Sequence, residues 1–274
     1  MNQRALWAFA VVVSIAAGAL PNAGAQGRRA LPPAPPTLPA PPARPAPGGP
    51  SAPPSRPNPA KSKNRLFLPQ DLGLLEPSDR DQWQPPDQIM DALNIADGAV
   101  VADLGAGGGW FTMRLAQRVG PNGVVYAEDV QPVMLEGIRR RAQRENRFNI
   151  RTVLGTASDP MLPHGIDAAL IVGSYHEMAC GVGPSCQDPI ALLKNVARSL
   201  KPQGILGVVD FNPGEGGPGP AADERVDPEA VVRTAAAAGF QLLKREAVPR
   251  DAAPPYQYQF LLVFGKNPSA RPTP

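Results

Sequence analysis

The amino-terminal quarter of this 274-residue chain has no acidic side chain: the first aspartate or glutamate is Asp71. All 24 acids therefore fall in residues 66–274, which hold 19 lysines and arginines and carry a net charge of −5, whereas residues 1–65 carry eight basic groups. The overall charge of +3 is an average of two opposite segments, not the mark of a basic domain. A nucleic-acid-binding fold is not indicated, because the acidic part would repel phosphates and no basic groove with interleaved aromatic residues is present. Cysteine and histidine are scarce, at two residues each. Without a cluster of such ligands no metal centre is expected. Residues 1–179 lack cysteine entirely, which excludes a lipid anchor on a cysteine following a leader. The dinucleotide fingerprint Gly-x-Gly-x-x-Gly is also missing. Counted from Gly105 its third glycine is Trp110, and from Gly107 it is Thr112. No lysine follows these glycines, so a nucleotide phosphate loop is excluded as well.

Residues 1–25 read as an export leader. Arg4 supplies the positive start, residues 5–20 are uncharged and apolar, and Ala23-Gly24-Ala25 before Gln26 fits a small-x-small cleavage site. The run of 16 residues is short against the roughly 20 that span a bilayer. A retained anchor over residues 5–20 is the alternative, and Arg28 and Arg29 would then favour keeping the rest of the chain inside the cell. Of the 36 prolines, 14 lie between Leu31 and Pro59. Residues 26–65 are expected to be a disordered spacer sampling polyproline II, since they have too little apolar surface to offset ordering. Their basic groups suit weak association with an anionic membrane or envelope polymer, or plain solvation.

Residues 66–266 have the size of one domain, followed by a short tail, 267–274. Apolar strand runs at 99–104, 124–130, 150–154, 166–173 and 205–211 alternate with helical patterns at 110–119, 132–146, 188–200 and 228–238. Two further strands, 240–248 and 256–264, close the domain. Near-continuous apolar strands separated by helices predict an α/β fold, a doubly wound seven-stranded sheet, mostly parallel, ending in an antiparallel hairpin. Such sheets take ligands beyond the carboxyl ends of their strands, where strand order reverses.

The turn after the first strand is Asp103-Leu104-Gly105-Ala106-Gly107-Gly108-Gly109. This Asp-x-Gly-x-Gly-x-Gly pattern resembles the first motif of class I S-adenosylmethionine-dependent methyltransferases, a Rossmann-like fold. Four more stretches agree: Glu128-Asp129-Val130 ending strand two, Ser158-Asp159-Pro160 after strand three, Leu200-Lys201-Pro202-Gln203-Gly204 before strand five, and the closing strands. Gln203 stands where the family usually has a glycine. The resemblance spans residues 80–266 and implies S-adenosylmethionine as methyl donor. It puts Gly105, Ala106 and Gly107 against the ligand, Asp103 near its methionyl end, Asp129 on the ribose hydroxyls, and Ser158 and Asp159 near adenine. Strand alternation turns Glu128 away from Asp129, unless the register is off by one and Glu128 is the ribose ligand. The lead-in Arg80-Asp81-Gln82-Trp83-Gln84-Pro85-Pro86-Asp87, with a helix over 88–93, looks like that of predicted exported bacterial methyltransferases. There Trp83 would cover the ligand mouth and Arg80 would meet a carboxylate.

The loop after strand four, Ser174-Tyr175-His176-Glu177-Met178, faces the methyl group in that family. His176 is the candidate base, Glu177 an orienting or cation-binding group, and Tyr175 a hydrogen-bond donor or wall. Asp210, Phe211 and Asn212, ending strand five, are secondary candidates, and His164 reads as surface loop. Cys180 and Cys186 bracket a short loop beside the candidate pocket and would form a disulfide in an oxidising compartment. The expected activity is methyl transfer to a small or polymer-attached acceptor, in a protein exported to the periplasm or beyond. Since the donor is made in the cytoplasm, the alternative is an exported non-catalytic module that binds a small ligand on the same fold. A nicotinamide oxidoreductase is disfavoured by the missing third glycine.

Overall fold

A computed structural model describes residues 70, 72–179, 188–214, 216–251 and 257–268. The leader, the proline-rich spacer and both cysteines lie outside these residues. Everything described below belongs to the compact unit Ser51–Pro274.

Seven strands form one sheet: β1 (Val100–Leu104), β2 (Val124–Asp129), β3 (Ile150–Leu154), β4 (Ile166–Val172), β5 (Leu200–Phe211), β6 (Phe240–Val248) and β7 (Gln259–Lys266). Their order is β3-β2-β1-β4-β5-β7-β6. The first five are parallel, and β7 runs antiparallel between β5 and β6. The final hairpin is thus threaded so that its second strand is interior. The sequences match those places: β7 is buried over seven of its eight residues, while edge strand β6 exposes the middle of its length.

Among the described residues eight α-helices lead into or connect the strands. Short α1 (Leu72–Leu75) and α2 (Arg80–Trp83) lead into α3 (Pro86–Ala92). After β1 come α4 (Trp110–Arg118) and α5 (Pro132–Arg144), and after β4 come α6 (Tyr175–Met178), α7 (Pro189–Ser199) and α8 (Pro228–Ala237). Four helices start on proline, which lacks the N–H that a first turn leaves unpaired. Asp188 caps α7 through Ile190 and Ala191, and Asp227 caps α8 through Glu229.

Alternation along the strands divides the core into two faces. Ala102 and Leu104 of β1 and Ala169 and Ile171 of β4 pack with α6, α7 and α8. Val101, Ala168 and Leu170 pack with α3 and α4 on the other face, and α5 joins α4 there through Met113, Leu135 and Ile138. Both faces are covered, so the sheet is doubly wound. β1 lies between β2 and β4, where strand order reverses, and the ends of β1, β2 and β4 therefore bound a crevice.

Three element starts differ from the sequence expectation by two residues or more. α3 starts two residues early, on Pro86. β7 starts at Gln259 rather than 256. β5 reaches back to Leu200, because Leu200 pairs with Ile166 before the register shifts to Ala168 and Ile205. The Lys-Pro-Gln-Gly stretch is therefore an irregular strand segment rather than a free turn. Among the described residues no helix is long and apolar enough to cross a membrane.

Candidate functional site

β1 ends at Leu104 and the chain must turn at once into α4. Gly105 makes that turn at φ 68°, a left-handed conformation that costs a side-chain-bearing residue free energy. It also lies against the β4 loop, where an added Cβ would sit 2.7 Å from Ser174 Oγ. The resulting floor is flat and made of backbone. Above it opens a cleft bounded by the ends of β1, β2 and β4.

Two predicted acids converge on this turn. Asp103, 2% exposed, accepts a hydrogen bond from Thr112 Oγ1 at 2.6 Å. Burial pushes its carboxyl up to about 6, against the opposing pull of Thr112 and Arg80. Asp129 ends β2 and accepts from the Gly107 N–H and the Gln131 N–H, each at 2.9 Å. It therefore clamps the glycine turn to the start of α5. Burial raises its pKa, opposed by these backbone donors. Gly105, Ala106 and Gly107 all line the cleft beside the two acids.

Glu128 corrects the sequence reading. Alternation predicted a side chain turned away, yet it is 3% exposed, lines the same cleft and accepts from the Gly105 N–H at 3.3 Å. The physical reason is Gly155, next to β3: any side chain there would overlap the Glu128 carboxylate, and glycine leaves the space open. Burial pushes Glu128 up to about 8, with Asp129 and Asp103 adding to the rise against the Gly105 N–H. The folded chain then keeps a proton that the unfolded chain releases near 4.5. The contribution of this group to stability must fall as pH rises from about 4.5 to 8, and level off above. Urea midpoints of the ligand-free protein at pH 5.5, 7 and 8.5 should show that loss, on the order of a few kcal/mol. Glu128→Gln should flatten it, and equal slopes in the two proteins would rule this account out.

Other predicted residues separate. Ser158 and Asp159 are absent from the cleft lining, a departure from the adenine role expected of them. Their loop closes on itself. The Asp159 carbonyl accepts from the Thr156 N–H at 2.8 Å, Asp159 Oδ1 accepts from the Met161 N–H at 2.9 Å, and the Ser158 carbonyl accepts from Asn195 Nδ2 at 2.7 Å. Turn formation occupies both residues. Tyr175, His176 and Glu177 sit on α6, a single turn on which consecutive residues point about 100° apart and cannot share a face. Glu177 lines the cleft. Tyr175 is 1% exposed and turned into the core with α7 and α8, so it forms neither wall nor donor in the cleft. His176 faces the end of β5, where its Nδ1 lies 2.9 Å from Asp210 Oδ1 and its backbone N–H donates to Asp210 Oδ2 at 2.9 Å. Burial disfavours the imidazolium, but Asp210 outweighs it and the His176 pKa is raised above 6.5.

The lead-in contributes two groups that composition could not place. Glu76 and Arg80 both line the cleft. Arg141 of α5 holds Glu76 with both carboxylate oxygens at 2.9 Å, and Arg114 of α4 holds Asp81 at 2.8 Å. The Arg80 guanidinium lies 4.0 Å from the Trp110 ring centroid and donates to Gln84 Oε1 at 2.6 and 2.9 Å. Gln84 in turn donates to Gln259 of β7 at 2.9 Å. Burial lowers the Arg80 pKa to about 10, against Glu76 and Asp103, which raise it. Trp83 stands at Phe211, ring centroids 6.1 Å apart, rather than over the donor cleft. Among the described residues no three His, Cys, Asp or Glu side chains are placed to hold a metal.

A doubly wound sheet of this strand order, with a glycine turn after β1 and an acid ending β2, defines a class I methyltransferase fold. Residues 101–204 match the family described as "Methyltransferase domain". Over 171 residues the chain is 26% identical to protein-L-isoaspartate O-methyltransferase of Methanothrix thermoacetophila, covering 53% of this chain and 80% of that one. An uncharacterized methyltransferase of Mycobacterium tuberculosis is 34% identical over 126 residues, 45% of this chain and 44% of that relative's length. The crystal structure of a SAM-dependent methyltransferase from Aquifex aeolicus superposes with a TM-score of 0.64 at 22% identity, covering 73% of this chain and 98% of that one. These similarities are to S-adenosylmethionine-dependent methyltransferases, and S-adenosylmethionine is the methyl donor they indicate. The residues present suit that donor: a bare glycine floor, buried acids at the ends of β1 and β2, and one buried guanidinium.

Proposed function

We propose that the donor lies across the ends of β1 and β2, with its ribose hydroxyls donating to Asp129 and its amino-acid tail between Asp103 and Arg80. The acceptor, a small molecule or a group on a polymer, then approaches from the β4 side, past Glu177. The observation that carries this reading is the convergence of Asp103 and Asp129 on one glycine turn, with Gly107 hydrogen-bonded to Asp129. Methyl transfer needs little covalent work from a protein. It needs alignment of nucleophile, carbon and leaving sulfur, which a rigid backbone floor and buried acids supply. Calorimetric titration of the full chain is expected to show micromolar binding of S-adenosylmethionine and S-adenosylhomocysteine and none of NAD. Binding of NAD alone would refute the assignment of this cleft.

The same reading includes export. Residues 1–25 act as a leader and the basic spacer that follows leaves the domain tethered near the envelope, without nucleic acid as partner. Mass spectrometry of the protein recovered outside the cytoplasm should give Gln26 as first residue; a chain still beginning at its original amino terminus would exclude cleavage.

A further inference from the structure

We propose that His176 is the base that takes a proton from an acceptor hydroxyl carried on an aromatic ring, and that Asp210 is the residue that positions it. The proposal rests on the methyl-transfer reading above and adds the acceptor class.

The argument starts from where the donor leaves room. With ribose over β2 and the amino-acid tail over β1, the sulfonium lies between them, and its methyl group faces the remaining wall, the end of β4 and α6. Ser174, Glu177 and Met178 form that wall. His176 stands on the same turn but outside the lining of the donor cleft, with its ring turned toward Asp210 of β5. Asp210 is 0% exposed and spends its carboxylate on His176 Nδ1, the His176 N–H and the Phe211 N–H. A carboxylate accepts and does not donate, so the proton of the neutral imidazole resides on Nδ1 and Nε2 keeps its lone pair. A purely structural brace would need no more than the backbone N–H, which Asp210 already accepts. The ring adds a second contact that also titrates.

A base matters for some acceptors and not for others. A carboxylate or a tertiary amine attacks without losing a proton, and the Glu177 carboxylate beside the methyl position repels an anionic acceptor. A hydroxyl is a poor nucleophile until its proton leaves. The surroundings favour a flat apolar carrier: Phe211 lies edge-on to His176 at 6.5 Å between centroids, and half-buried Trp83 lies 6.1 Å from Phe211. In the step, the acceptor O–H bond breaks and its proton passes to His176 Nε2. The oxygen forms the new bond to the methyl carbon, the carbon–sulfur bond breaks, and its electron pair stays on sulfur. The imidazolium is stabilised by Asp210. The charged groups facing the ring are Asp210 from β5, Glu177 on α6 itself and Glu224 from the turn Ala222–Glu224, with Arg225 over the neighbouring Phe211 ring.

Two measurements on the full chain test this. The chain has two histidines, so nitrogen NMR of histidine-labelled protein resolves both, with His176→Ala assigning the signals. His176 should titrate above 6.5 with Nδ1 protonated in the neutral form; Asp210→Asn should lower that titration and Asp210→Glu should restore part of it. Catechol, benzoate and benzylamine are then offered with S-adenosylmethionine. Catechol should be methylated in preference. His176→Ala should lower kcat about 100-fold, with the KM for S-adenosylmethionine within about twofold, and the deficit should shrink at high pH, where catechol ionises unaided. Asp210→Asn should lower kcat and shift the acid limb of the pH profile downward. Preference for benzoate or benzylamine, or transfer to none of the three, overturns the acceptor class. An unchanged kcat in His176→Ala overturns the base, and an unmoved His176 titration in Asp210→Asn overturns the positioning role. Failure of the wild type to bind S-adenosylmethionine appears separately in calorimetry and counts against the donor cleft itself.

Discussion

Asp129→Ala is expected to weaken binding of S-adenosylmethionine by at least about 100-fold. Two hydroxyl-to-carboxylate hydrogen bonds at about 1.5–3 kcal/mol each account for a loss of that size. The same carboxylate also holds the Gly107 and Gln131 N–H groups, so the substitution loosens the floor of the cleft as well as removing a contact. The two effects separate with ligands. 5′-Methylthioadenosine keeps the ribose and lacks the amino-acid tail, and should lose affinity by a similar factor. A 2′,3′-dideoxy analogue lacks the hydroxyls, so the smaller affinity it loses between wild type and variant measures the loosened floor alone. Asp129→Asn keeps the shape and one accepting oxygen and should fall between. If Asp129→Ala left affinity for S-adenosylmethionine unchanged, the ribose would be held elsewhere, and Glu128, in the same cleft, would be the first residue to replace.

The sheet was legible because its signals are local. Most strands are short apolar runs and four helices open on proline, so the alternation alone predicts all seven strands to within two residues at their carboxyl ends. The glycine turn was equally legible, since left-handed backbone after a strand needs glycine at Gly105. What sequence could not show are contacts across the fold. Gln84 meets Gln259, 175 residues away, and that contact orients Arg80. Asp210 stood out as a strand-end acid, but its pairing with His176 follows from β4 and β5 being neighbours. Tyr175 and His176 are adjacent in sequence and point to different surroundings, because a helix turns by about 100° from one residue to the next. Glu128 was misplaced by applying alternation at the last residues of a strand, where the missing side chain of Gly155 decides what fits.

Arg80→Met should weaken S-adenosylmethionine about 10- to 100-fold, the range for one charge-assisted contact to a carboxylate in a partly desolvated site. The geometry favours this role. The guanidinium is fixed on one side by Trp110 and on another by Gln84, so little side-chain freedom remains to be lost when a ligand arrives. Burial disfavours the charged form, as its pKa of about 10 records, and an incoming carboxylate reverses that balance. Asp103 lies near enough to Arg80 to influence it, which sets a cation and a buried acid side by side for the two ends of an amino acid. The decisive comparison uses decarboxylated S-adenosylmethionine. Wild type should bind it more weakly than the intact donor, and Arg80→Met should bind both about equally, so the two losses do not add. Gln84→Met should weaken the intact donor by a smaller factor, because it releases the guanidinium without removing it. Additive losses would mean that Arg80 contributes through the lead-in segment it anchors to Trp110, and that the carboxylate is met by another group.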